Sequence, residues 1–244
     1  MTTPELLDHV RRLRASGATP AQMARELGLT KAQVQPLLRQ TAGSTRASTP
    51  ERVLPVPGDR ALAGCWVNPG WSADLGLDDA PEWAMGDAGT GSDGTAGLVT
   101  VVVGRAERRG RVTLCSFLVD VFCLGVKNTV GPQTLSDGKV RDRLYDLYGG
   151  YDDPPRSAPL DLARHLVHGA VGYARALGFE PHKEFAHVVP YLGPAPDACR
   201  IRFGKDGLPF YISGPHDDPR AVLGTLERTV GSGNYHYFTH VTPF

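Results

Sequence analysis

Two Thr/Gln pairs, Thr19/Gln22 and Thr30/Gln33, constrain the first forty residues more than any other feature of the chain. In a capping box, a threonine hydroxyl accepts the backbone N–H three residues on, and the glutamine there reaches back to the threonine N–H. Each box satisfies donors that a helix start leaves free. Thr3-Pro4 and Thr19-Pro20 also place a proline at the first helical position, where its missing N–H is harmless. The boxes begin eleven residues apart, so the helix between them is short and Leu27-Gly28-Leu29-Thr30 must turn the chain. Glycine tolerates the left-handed conformation such a turn needs. Leu6, Val10, Leu13, Met23, Leu27, Val34 and Leu38 then close a small three-helix core.

The segment TPAQMARELGLTKAQVQPLLRQ resembles the helix-turn-helix of bacterial regulators, recombinases and transposases, over residues 4–40. The resemblance implies that Ala24 permits close helix crossing, that Gly28 is the turn glycine and that the third helix reads the major groove. Lys31, Gln33 and Gln35 would face bases, with Arg39 further along. Glutamine suits adenine, and lysine or arginine suits guanine or phosphate. Arg11, Arg12, Arg14 and Arg25 would hold the phosphate backbone. Pro36 departs from the pattern, because a proline inside the third helix shortens or kinks it. The expected partner is double-stranded DNA, met by a homodimer, since one such module makes few contacts. A three-helix module can also dock a protein.

Charge separates the ends of the chain. The 244 residues hold 26 basic and 26 acidic side chains, yet residues 1–48 carry seven Lys/Arg against three Asp/Glu. The front is therefore basic and the remainder acidic, so only the front suits a polyanion. With 41% hydrophobic residues the chain can build a core without staples. Cys65, Cys115, Cys123 and Cys199 form no CxxC pair, which argues against a zinc knuckle; Cys115 and Cys123 lie in an apolar run, where cysteine is a small buried hydrophobe, and reduced cysteines fit a cytoplasm. Neither a secretory signal core nor an apolar run of membrane-spanning length appears. The expected setting is the cytoplasm, without membrane contact.

Residues 43–60, GSTRASTPERVLPVPGDR, have a linker composition. Residues 61–244 are expected to form one α+β domain with two hairpins and two or three helices. Gly86–Gly97 has the composition of a mobile loop. Leu98–Ala106 and the apolar run Arg111–Val126 flank Glu107-Arg108-Arg109-Gly110 as the first hairpin. Ile201–Phe203 and Pro209–Ile212 flank Gly204-Lys205-Asp206-Gly207 as the second. Helices are expected over 139–149, over Pro159–Phe179, where leucines and alanines recur at helical spacing, and from Asp218-Pro219 to Val230.

Chemistry is less legible in this domain. Asp120 interrupts an apolar run that ends in Lys127-Asn128. A buried carboxylate needs a partner. Asp120 either caps a turn, pairs with an arginine such as Arg105 or Arg141, or joins Lys127 in an acid/base or phosphate-handling site. His165 and His168 lie three apart on the strongest helix, and His182 follows it. The spacing fits hydrogen-bonded histidines better than a metal site. The segments FLVDVFCLGVKN, HGAVGYARALGFEPHKEF and FGKDGLPFYI resemble a domain of uncharacterised bacterial proteins, over residues 98–215. That resemblance implies no activity, but it groups Asp120, Lys127, His168 and His182 as one candidate feature.

Three functions follow. The chain is a transcriptional regulator or accessory DNA-binding factor whose second domain senses, dimerises or binds a protein partner. Or it is an enzyme on nucleic acid or nucleotide, working through Asp120, Lys127 and the histidines. Or it docks a larger complex through its front helices. No cofactor and no metal is called for.

Overall fold

A computed structural model describes residues 3–15, 18–30, 33–34, 36–37, 56–78, 82–83 and 97–239. The chain divides into two compact units, Met1–Leu54 and Pro55–Phe244.

In the first unit, helix α1 spans Thr3–Ala15 and α2 spans Pro20–Glu26. Both capping boxes close. The Thr19 N–H donates to Gln22 Oε1 at 2.8 Å and the Gln22 N–H to Thr19 Oγ1 at 3.4 Å. Thr30 and Gln33 repeat the exchange at 2.9 and 3.4 Å. Helix α2 stops in a Schellman turn. Gly28 takes φ 65°, the Leu29 N–H reaches the Ala24 carbonyl at 2.9 Å, and the Gly28 N–H reaches that of Arg25 at 3.4 Å. Gln33–Val34 and Pro36–Leu37 have helical backbone.

Val10, Met23, Ala24 and Val34 are buried together, ringed by Leu13, Ala18, Leu27, Leu29 and Leu37. Ala18 with Met23, and Leu29 with Val34, hold the flanking and fourth helical positions of the two boxed starts. That is the hydrophobic-staple spacing, used twice. Leu6 is half-buried, and Leu38 lies outside the described residues.

The second unit is built on a five-stranded antiparallel sheet of order β5-β4-β3-β1-β6. Its strands are β1 Leu62–Val67, β3 Leu98–Glu107, β4 Arg111–Asp120, β5 Gly125–Ser136 and β6 Arg156–Ser157. Alternation sorts the side chains. Val99, Val101, Val103, Cys115, Phe117 and Val119 face helices α4 (Leu160–Ala176) and α5 (Phe185–Leu192). Val102, Val112 and Leu114 face Tyr148 of α3 (Asp137–Tyr148) on the other side. The sheet is buried on both faces, which explains the unbroken apolar runs. Helix α6, Pro219–Thr229, starts at an Asp218 cap and packs Leu226 against Cys123, Leu177 and Tyr211.

The first hairpin forms where expected, but the apolar run behind it is two strands. Asp120 ends β4, and Gly125, at φ 67°, begins β5. A Cβ on Gly125 would stand 2.8 Å from the Ala170 carbonyl, so the turn sits tight under α4. The second hairpin does not form. Strand β7, Ile201–Arg202, pairs with β2, Gly76–Leu77, while β8, Phe210–Ile212, pairs in parallel with β9, His236–Phe238. The reason is a competing donor set. The Gly204 N–H is taken by the Val121 carbonyl at 3.0 Å and the Phe210 N–H by that of Phe122 at 3.1 Å. Pro209 offers no donor. Between the two arms only Lys205 and Leu208 bridge. The described part of this unit holds four helices rather than two or three. The one missed is α5, which carries Pro190. The end of the linker-like stretch is also structured. Pro57–Asp59 make a 3-10 turn and Arg60 pairs with Glu107. The Gly86–Gly97 stretch lies outside the described residues except for Gly97.

Candidate functional site

On the first unit, Arg12 and Arg25 are exposed and Arg11 and Arg14 lie on α1. Gln33 is exposed, and its Oε1 accepts from both the N–H and the hydroxyl of Thr30, each at 2.9 Å. Its amide nitrogen is the part left to reach outward. Lys31, Gln35 and Arg39 lie outside the described residues.

On the second unit, the four candidate residues fall into separate environments. Asp120 is buried and caps the β4–β5 turn. Its Oδ1 accepts the N–H groups of Phe122 and Cys123, each at 3.0 Å. Burial pushes its carboxyl up to about 6, against the pull of the turn's N–H groups and of nearby Lys127. Lys127 itself is committed elsewhere. Its Nζ lies 2.8 Å from Asp217 Oδ2, which also accepts from the Gly214 N–H at 2.8 Å and the Tyr211 hydroxyl at 3.4 Å. Burial and the neighbouring Asp120 push the Cys123 thiol well above its ordinary value, so it carries no thiolate at neutral pH.

His168 serves α5. Its Nε2 donates to the Gly193 carbonyl at 2.9 Å, and burial holds the ring below its ordinary pKa and neutral. Arg105, buried, donates to the carbonyls of Tyr191 and Leu192 at 2.7 and 3.2 Å, and Arg164 reaches that of Leu192 at 3.2 Å. Three side chains from other elements therefore satisfy the last carbonyls of a helix that contains a proline. Arg105 thus pairs with carbonyls, not with Asp120. His182 stays at the entry to α5, where its N–H bonds to the Val126 carbonyl at 2.8 Å and its Nδ1 accepts the Glu184 N–H at 3.4 Å. No hydrogen bond joins Asp120, Lys127, His168 and His182 to one another.

His165 turns away from His168. Its Nδ1 accepts the Arg200 N–H at 3.2 Å, and its Nε2 lies 3.5 Å from Asp161. Among the described residues no three His, Cys, Asp or Glu side chains gather to hold a metal ion.

What His168 does border is a cleft of ≈ 720 Å³ between α4 and the Ala195–Gly207 segment, lined also by Gly172, Tyr173 and Phe203. No local pattern in the chain signals it, since its walls lie about thirty residues apart. Among the described residues no helix is long and apolar enough to cross a membrane. Compared with known protein families, curated proteins and solved structures, the chain matches none.

Proposed function

We propose that residues 1–42 are a helix-turn-helix module that binds double-stranded DNA. On this reading the protein acts as a transcriptional regulator or accessory factor, as a homodimer, with the second unit sensing a ligand, dimerising or binding a protein partner. The observation that carries the reading is the joint between α2 and the second box. A Schellman turn at Gly28 leaves only Gly28 and Leu29 between the Leu27 helix cap and the Thr30 box, and Leu29 is pinned in the core. So short and closed a joint fixes the direction of the next helix, which a groove-reading element needs. The basic surplus of the front residues supplies the charge for a polyanion.

The enzymatic alternative loses its anchor, because Asp120 is spent on a turn and Lys127 on Asp217. The test is titration of the full chain with random-sequence duplex at low salt. Binding that weakens with added salt supports the reading. No binding rejects it, and capture by a protein partner then favours a docking role.

A further inference from the structure

The cleft beside α4 has features that the helix packing does not explain. Gly169 has a packing reason to be glycine, since a Cβ there would meet Cys199 Sγ at 2.5 Å and the Phe203 ring at 2.6 Å. Gly172, one turn on, has none. It is exposed, sits inside a 17-residue helix, and a Cβ there would meet nothing within 4 Å. A glycine in a helix interior weakens the helix relative to alanine. At Gly172 that cost leaves one visible result, a flat, open strip of backbone on the cleft wall.

An aromatic pair links the two walls, Tyr173 beside Gly172 on α4 and Phe203 on the facing segment. Phe203 and Tyr173 stack with ring centroids 5.8 Å apart and planes 26° apart. The space between holds ≈ 720 Å³, within the range of small-molecule sites. Among the described residues its lining includes one arginine or lysine, Arg202, and no carboxylate. Arg202 pairs at 3.0 Å with Asp78, and both side chains are at least half exposed (68% and 50%). A surface pair of that kind holds its partners weakly, so the guanidinium is available to a better-placed anion. His168 adds no charge, because burial, helped by the nearby Arg164 guanidinium, holds its ring below the ordinary imidazole value.

We propose that this cleft binds a planar, largely apolar small molecule carrying one anionic group. The ring system lies against the open backbone at Gly172, beside the Tyr173/Phe203 stack, and the anion meets Arg202. The site is independent of the DNA-binding reading and stands or falls separately.

Two fluorescent probes test it on the full chain, anionic 1-anilinonaphthalene-8-sulfonate and its uncharged relative N-phenyl-1-naphthylamine. Both should bind saturably at one site, the anion more tightly. Gly172→Leu should weaken both by at least about tenfold, with an unfolding temperature unchanged or higher, which separates a filled cleft from a misfolded chain. Arg202→Gln should weaken the anion by about three- to tenfold and leave the neutral probe unchanged. Absence of saturable binding, or binding that survives Gly172→Leu, overturns the site. Equal loss of both probes in Arg202→Gln, or loss of neither, overturns the assignment of the anion.

Discussion

Lys127 Nζ lies 2.8 Å from Asp217 Oδ2, joining strand β5 to the segment before α6 across 90 residues of chain. Both side chains are largely shielded, with 18% and 11% exposed. Burial alone would raise the Asp217 carboxyl, but the bonds from Lys127 and the Gly214 N–H outweigh it and hold the group below the ordinary aspartate value of 3.8. Stability from the pair is therefore present above that value and is lost as pH falls through the lower, folded one. Lys127→Met should destabilise the chain at pH 7 by about 1–3 kcal/mol. The gap to the parent should narrow as the pH drops below about 4. Thermal unfolding between pH 7 and pH 3 reads this directly, and a gap that stays constant contradicts it.

Asp120 runs in the opposite sense. Its carboxyl is raised to about 6, so the fold favours the protonated form. This contribution is fully present below the unfolded value and is lost as pH rises through the folded one. Asp120→Asn keeps an oxygen for the Phe122 and Cys123 N–H groups and removes the buried charge. It should equal or exceed the parent in stability at pH 7 by up to about 2 kcal/mol, with the advantage vanishing near pH 4. Asp120→Ala strands both donors and should cost about 1–3 kcal/mol. Asparagine behaving like alanine would show that the turn needs the charge itself.

The Tyr173 hydroxyl is buried and has no hydrogen-bond partner among the described residues. An unsatisfied buried polar atom costs stability, so its removal should be tolerated. Tyr173→Phe keeps the ring stacked on Phe203 and should leave stability unchanged or raise it by up to about 1 kcal/mol. Chemical denaturation measures this. A loss larger than about 1 kcal/mol would mean that the hydroxyl has a bound partner such as ordered water.

What the sequence made legible was local. The Thr19/Gln22 and Thr30/Gln33 boxes, the Asp218 cap and the α4 periodicity each lie within a few residues, and each takes the expected form. The misses depend on distant partners. Helix α5 carries Pro190 and has its last carbonyls held by Arg105, Arg164 and His168, partners from other elements that no local pattern shows. The Gly204–Gly207 turn looks like a hairpin until Val121 and Phe122 claim the donors of its arms. The break between β4 and β5 did leave a trace in Asp120 and Gly125, a turn-capping carboxylate and a left-handed glycine inside an apolar run. Read as turn chemistry, Asp120 marks a strand end.

DNA binding by the front unit is tested by its salt dependence. The measurement is duplex affinity of the full chain across a series of salt concentrations, for the parent and for Lys31→Ala/Arg39→Ala. A groove-reading module should lose affinity log-linearly with salt, and the double variant should bind more weakly with a slope shallower by up to about 2. Affinity indifferent to salt, or a variant that binds as the parent does, would contradict the DNA-binding account.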